Sequence, residues 1–97
     1  MIDINQIPQS FTVEHKYKEF CIHTDFVFIN GTKNPEWTGY YGEHRICIRA
    51  MEQEWVCEVL KHGIGQAILR WPKSNASLDD LKTLVSCACY YIDSFTK

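Results

Sequence analysis

Residues 11–29 read FTVEHKYKEFCIHTDFVFI, and this stretch decides the fold class because polar and apolar side chains alternate along much of it. A period of two places successive side chains on opposite faces of a β-strand. β-Branched and aromatic residues, which favour strands, dominate the stretch. One predicted face carries Phe20, Ile22, Thr24, Phe26 and Phe28, and the other carries Cys21, His23, Asp25, Val27 and Ile29. The pattern predicts one long strand, or two strands with a break within residues 16–19.

The next segment has the composition of a loop followed by a short strand. Asn30-Gly31 is a turn dipeptide, and residues 30–43 contain Pro35 together with three of the five glycines. We therefore predict a polar and aromatic loop over residues 30–43, of a length at which loops often have a function. Residues 45–50 alternate again, with Ile46 and Ile48 on one side, and are predicted to form a short strand.

Residues 51–62 fit two structures. Their glutamates and the helical spacing of Trp55, Val56 and Val59 favour a helix that ends at Lys61-His62-Gly63. The alternative is a strand over residues 55–60. Residues 66–71 fit a strand or a continued helix, and Pro72 ends the element in either case.

Residues 78–95 give the clearest helix signal in the chain. Ser77 is followed three positions later by Asp80, which is typical of a capping box at a helix start. Apolar residues then recur at the spacing of one helix face: Leu81, Leu84, Val85, Ala88, Ile92 and Phe95. This apolar stripe is widened by Cys87, Cys89, Tyr90 and Tyr91.

These elements predict an α+β fold in a single domain that spans residues 1–97. We expect a small antiparallel sheet of three to five strands with the C-terminal amphipathic helix packed on one face, and a second helix near 51–62 if that segment is helical. The runner-up is a more helical protein in which residues 51–71 form helix. A chain of 97 residues is near the usual size of one domain, and 45% hydrophobic residues are enough for one core.

The charge pattern disfavours several partner classes. Ten basic and twelve acidic residues give a formal net charge of −2, with no basic cluster of the kind that neutralises DNA phosphates. Direct binding to duplex nucleic acid is therefore not expected. The sequence has no apolar run long enough for a membrane span and no signal-peptide pattern at residues 1–8, so we predict a cytoplasmic protein without a membrane partner.

Five cysteines and four histidines raise the hypothesis of a small zinc-binding domain. Cys21 and His23 would share one face of the predicted strand, and His44 with Cys47 would complete a four-ligand set if the strands pair. No Cys-x-x-Cys motif occurs, however, and Cys87 and Cys89 point in different directions on a helix. We therefore assign no metal ligand and no cofactor, and the cysteines are interpreted as small, reduced, mostly buried residues.

A metal-dependent nuclease-like enzyme, active or degenerate, is the other alternative. Asp25 lies in a predicted strand, and Glu43 precedes another strand with Arg45 two residues later. The order loosely resembles that of small restriction-type nucleases, but Cys47-Ile48-Arg49 stands where an acid-x-Lys is expected. We assign no catalytic residue.

The remaining indication of function is a set of aromatic residues outside the predicted strands. Trp37, Tyr40 and Tyr41 lie close together in the predicted loop, and Tyr90 and Tyr91 lie on the over-wide face of the last helix. Binding hot spots are enriched in Tyr and Trp, although such rings also pack over a core. The sequence predicts a small non-enzymatic protein-interaction module whose partner is another protein, such as a larger host complex. A specific version is a phage or mobile-element inhibitor that blocks a host nuclease or defence machinery.

Overall fold

The computed structural model describes residues 8–50, 54–72 and 77–95, which form a six-stranded antiparallel sheet and one helix. The strands are β1 (Ser10–His15), β2 (Lys18–Ile29), β3 (Thr32–Tyr41), β4 (His44–Ala50), β5 (Glu54–Lys61) and β6 (Ile64–Pro72), and the helix is α1 (Leu78–Phe95). Each strand pairs with the next one in the sequence, so the sheet is a meander. The predicted α+β class is confirmed, but six strands exceed the three to five that we expected.

Residues 11–29 form two strands, with the break inside the predicted interval. Lys16 and Tyr17 make a two-residue turn with φ angles of 52° and 67°, and His15 pairs with Lys18 across it. The predicted alternation is present in β2, where Ile22 and Thr24 are buried and Cys21 and His23 are exposed. The apolar alternation was therefore a reliable guide to strand structure here.

The predicted loop over residues 30–43 is wrong, because most of it is β3. Asn30 and Gly31 both have positive φ (52° and 78°), as a two-residue hairpin turn of type I′ requires, so the chain reverses at once. Ile29 pairs with Thr32 immediately after the turn. In β3 the inward positions include Pro35 and Gly39, which carry no strand signal in a sequence.

The predicted helix near 51–62 is also wrong over its described part, and the strand alternative holds. Trp55, Cys57 and Val59 face the core from β5, and residues 51–53 lie outside the described residues. His62 and Gly63, with φ angles of 54° and 81°, form the turn between β5 and β6. A glycine with positive φ serves a helix end and a type I′ turn equally well, which explains the misassignment.

The core lies between one face of the sheet and α1. Trp37 and Trp55 are at its centre, with ring centroids 4.9 Å apart. From the helix, the core receives Leu81, Leu84, Val85, Ala88, Cys89 and Ile92. The predicted capping box is confirmed: the Ser77 amide donates to Asp80 Oδ2 (2.8 Å) and the Asp80 amide to Ser77 Oγ (3.3 Å).

The two faces of the sheet differ in character. The face opposite α1 carries an ion network in which Glu36 bonds to Arg49 (3.2 Å) and Arg49 to Glu58 (3.5 Å). Within residues 8–50, 54–72 and 77–95, no helix combines the length and apolar character needed to cross a membrane.

Candidate binding site

A cleft of about 320 Å³ opens at the end of the sheet where the β1–β2 and β3–β4 turns lie. It begins beyond the last pair of the β2–β3 ladder, His23 with Thr38. The cleft is lined by Lys16, Lys18, Glu19, Phe20, Tyr40 and Tyr41. It therefore combines aromatic walls with charged groups at its rim.

Asp93 of α1 joins the helix to this end of the sheet. Its Oδ2 lies 2.8 Å from His15 Nε2 and 2.9 Å from Lys16 Nζ, and its Oδ1 accepts the Tyr41 hydroxyl at 2.9 Å. The hydrogen bonds from His15, Lys16 and Tyr41 hold the pKa of Asp93 well below its usual range. Burial, and then the bond to the Asp93 carboxylate, raises the pKa of Tyr41 to about 12. At neutral pH the Asp93 carboxylate is therefore ionised, and it accepts a hydrogen bond from the neutral Tyr41 hydroxyl.

Two tyrosines enclose the buried imidazole of His15. The His15 ring meets Tyr41 edge-on with centroids 5.3 Å apart, and Tyr90 with centroids 4.6 Å apart. Tyr90 is nevertheless 63% exposed, because only part of its ring covers His15. Buried His15 therefore links Tyr90 of α1 to Tyr41, which lines the cleft.

The β1–β2 turn at the cleft is strained. Lys16 and Tyr17 both occupy the left-handed region, which non-glycine residues rarely adopt and which costs about 1–2 kcal/mol for each residue. Lys16 is held by Asp93, but Tyr17 is 98% exposed. Strain of this kind is concentrated at functional sites. Three exposed tyrosines, Tyr17, Tyr40 and Tyr90, belong to this end of the sheet, and we call them the tyrosine end.

The structure separates the five residues that the sequence predicted to bind a partner. Tyr40 and Tyr90 are exposed, and half-buried Tyr41 lines the cleft. Trp37 has no exposed surface and packs on Trp55, so it offers nothing to a partner in this fold. Tyr91 is partly buried against the core.

Sequence reasoning missed Tyr17, Lys16, His15 and Asp93. The only signal for the first two was the break in alternation at residues 16–19. His15 and Asp93 are 78 positions apart, and a single sequence does not reveal their contact.

The structure does not assemble the hypothetical zinc ligands. Cys21, His23 and Cys47 lie on the face opposite α1, whereas the buried side chain of His44 lies on the other face, as its alternation with Ile46 and Ile48 requires. His23 and Cys47 flank Thr38 in a row across three strands, so about 10 Å separates their backbones. Among the described residues, no group of three or more His, Cys, Asp or Glu side chains is placed to hold a metal ion.

The hypothetical nuclease residues are likewise dispersed. Asp25 pairs with Glu36 in the middle of β3, whereas Glu43 lies in the turn beyond the end of that strand, about 20 Å away. The Arg45 side chain is 3.6 Å from Glu36, in the ion network of the open face. These residues do not converge on one point.

The five cysteines are free thiols with two different environments. Cys21 and Cys87 are exposed, and Cys47, Cys57 and Cys89 are buried. Burial raises the pKa of the Cys57 and Cys89 thiols to about 12, and it also raises the pKa of Cys47. The buried cysteines are therefore protonated at neutral pH and are poor nucleophiles.

Comparison with known proteins gives no relative for this chain: no protein-family model, curated protein or solved structure matches it.

Proposed function

We propose that the protein is a non-enzymatic interaction module that binds another protein through the tyrosine end. The observation that carries the proposal is the exposure of Tyr17, Tyr40 and Tyr90, at 98%, 64% and 63%. All three belong to the end of the sheet where the cleft opens: Tyr40 lines the cleft, Tyr17 follows the cleft residue Lys16 in the β1–β2 turn, and Tyr90 packs on His15, which precedes that turn. Tyrosine presents a large ring with a polar tip and loses little conformational entropy when it is fixed in an interface.

The strained turn supports the same proposal. A turn of Asn and Gly would relieve the strain, as in the β2–β3 hairpin of this protein, yet Lys16 and Tyr17 occupy the β1–β2 turn. Tyr17 contributes almost nothing to the core because almost all of its surface faces solvent. Contact with a partner gives this residue a role that the monomer does not.

Asp93 forms a cluster with His15, Lys16 and Tyr41, and the contacts within this cluster indicate a structural role rather than a catalytic one. Both carboxylate oxygens already accept hydrogen bonds, and His15 is enclosed by rings. Such a cluster fixes the turn and the helix relative to each other, so that the tyrosines are presented on a rigid frame. A rigid contact surface lowers the entropic cost of binding.

The test is affinity capture from the native host with quantitative mass spectrometry. The bait is the wild type, the triple variant Tyr17→Ala/Tyr40→Ala/Tyr90→Ala, or the control Ile64→Ala. Ile64 is 80% exposed but lies on β6, far across the sheet from β1. We expect a defined set of proteins that the wild type and the control capture and the triple variant loses.

Equal capture by the triple variant would contradict the proposal, provided that circular dichroism shows the same fold. The narrower proposal of a phage or mobile-element inhibitor predicts that the captured partner is a host enzyme complex. Addition of the purified protein should then inhibit that complex at stoichiometric concentration.

A further inference from the structure

Two basic side chains share one carboxylate oxygen beneath the tyrosine end. His15 Nε2 lies 2.8 Å from Asp93 Oδ2, and Lys16 Nζ lies 2.9 Å from the same atom. The two nitrogens are therefore within about 6 Å of each other. The other oxygen, Oδ1, accepts the Tyr41 hydroxyl at 2.9 Å. A histidine and a lysine thus compete for a single acceptor atom.

Among the groups bonded to Asp93, His15 is the one whose charge can change between pH 5 and 8. The bonds from His15, Lys16 and Tyr41 hold the pKa of Asp93 well below its usual range, so the carboxylate stays ionised. Burial, and then the bond to Asp93, raises the pKa of Tyr41 to about 12, so the phenol stays neutral. Lysine side chains keep their charge in this range. A change in pH therefore acts on these bonded groups through His15.

The contact with Asp93 defines where His15 gains its proton. An ionised carboxylate only accepts hydrogen bonds, so Nε2 carries the hydrogen of the neutral ring. Protonation therefore adds a hydrogen at Nδ1, and it places a full positive charge on a side chain that is 3% exposed. The titratable and charged side chains around this ring and Asp93 come from the turn and from four further elements: Lys16, Lys18 on β2, Tyr41 on β3, His44 on β4, and Cys89, Tyr90 and Asp93 on α1.

Lys16 is the side chain that can leave when both groups are charged. Like charges at this separation repel each other, and one carboxylate neutralises only one of them. The Lys16 side chain is 60% exposed and can turn into water, whereas the His15 ring is enclosed by Tyr41 and Tyr90. A neutral His15 makes the same bond to Asp93 without this repulsion.

We propose that protonation of His15 displaces Lys16 from Asp93 and loosens the β1–β2 turn, which makes the tyrosine end sensitive to pH. Lys16 and Tyr17 both have left-handed φ angles, and the bond from Lys16 to Asp93 ties the turn to α1. Tyr17 follows Lys16 directly and is 98% exposed. The turn is therefore tied to the helix while His15 is neutral, and it is freer to move when His15 is charged.

The first experiment is an NMR titration from pH 8 to pH 5, with circular dichroism to show that the fold is intact. We expect the Lys16 and Tyr17 amide signals to shift with the midpoint of the His15 ring protons. The Asn30 and Gly31 amides of the β2–β3 turn should not follow that midpoint. Lys16 and Tyr17 signals that do not follow His15, or a His15 ring that does not titrate, overturn the proposal.

The second experiment tests the competition for Asp93 Oδ2. Lys16→Met removes the second cation, so the midpoint of the His15 ring signals should rise by about 0.5–1 pH unit. The matched control is Lys18→Met, which removes the lysine directly across the hairpin from His15 and leaves the bond between Lys16 and Asp93 in place. The control should produce a smaller rise. Equal midpoints in the two variants overturn the proposal.

The effect of this switch on binding rests on the proposed function. Capture of the partner by the wild type should weaken as the pH falls through the His15 midpoint, and capture by Lys16→Met should lose this dependence on pH. Capture that does not change with pH would contradict the regulation of binding. The switch and the proposed function fail separately, because the NMR titrations need no partner and the triple tyrosine variant should titrate like the wild type.

Discussion

Asp93 is the acceptor that ties α1 to the β1–β2 turn and to β3. Its carboxylate interacts with a histidine, a lysine and a tyrosine, and each of these comes from the sheet side of the contact. Since these donors favour the ionised form, the pKa of Asp93 is lower in the folded protein than in the unfolded chain. Asp93 therefore stabilises the fold when it is charged.

We expect Asp93→Asn to lower the midpoint of thermal unfolding at pH 7. A group with a depressed folded pKa contributes its stability above its unfolded pKa, about 3.9 for Asp, and loses it as the pH falls toward the folded value. The difference in midpoint between wild type and Asp93→Asn should therefore shrink as the pH falls below about 4. Thermal unfolding followed by circular dichroism at a series of pH values measures this difference. The control is Glu14→Gln, which removes the charge of an exposed carboxylate. Parallel profiles for wild type and Asp93→Asn down to pH 2 would show that Asp93 is not coupled to folding.

Tyr17 provides a test of strain at the residue scale. Tyr17→Gly removes the cost of a side chain at φ 67° but adds chain entropy to the unfolded state, so we expect a net gain of about 0.5–1 kcal/mol in the free energy of unfolding. Tyr17→Ala, which keeps the strained backbone and loses only an exposed ring, should leave stability nearly unchanged. Urea denaturation distinguishes the two. If both substitutions change stability equally, the turn is not strained.

At the scale of elements, Gly39 of β3 lies close against β2. A Cβ at this position would lie 2.8 Å from the Cys21 carbonyl oxygen and even closer to Ile22 Cδ1. The Cys21 oxygen belongs to the backbone of β2, so it moves only if the strand moves. This explains why a glycine lies in the middle of a long strand.

We expect Gly39→Ala to lower the free energy of unfolding by about 1–3 kcal/mol, which is the usual cost of overpacking. The matched control is Gly65→Ala, whose Cβ would meet the flexible Leu60 side chain at 3.0 Å. The control should cost less, because a side chain can change rotamer. Equal loss in both variants, measured by urea denaturation, would contradict the account of the Gly39 contact.

The elements also show what could be read from the sequence. β2 and α1 were predictable because apolar side chains repeat at a single period. β3 was not, since Pro35 and Gly39 occupy inward positions without the side chains that signal a strand. In β5, the apolar residues satisfy the helical and the extended period at once, and burial against the core decides between them. The sequence identifies Tyr40 and Tyr90, but the strand pairing that puts the β1–β2 turn, and with it Tyr17, at the same end of the sheet cannot be read from spacing.

For the whole molecule, one face of the sheet is apolar and covered, and the other is charged. The ion network on the open face surrounds Cys47, which has no exposed surface although α1, the one described helix, covers the opposite face. Long charged side chains bury apolar stems and keep their heads in water, which accounts for this burial. The fold therefore has its main core on the helix side alone.

We expect a single cooperative unfolding transition, because the buried residues form one cluster that α1 and the sheet share. Trp37 and Trp55 report on the centre of that cluster by fluorescence, and far-UV circular dichroism reports on backbone structure. The two urea transitions should have the same midpoint. Separate midpoints would show that the helix or the hairpins unfold independently.

The position of α1 after all six strands has a consequence for biosynthesis. Meander pairing is local, so hairpins can form as soon as they emerge from the ribosome. Until residues 78–95 have also emerged, however, the two central tryptophans have no helix over them. A nascent chain stalled before Leu78 would expose this apolar sheet surface to solvent, and we expect chaperones to bind it.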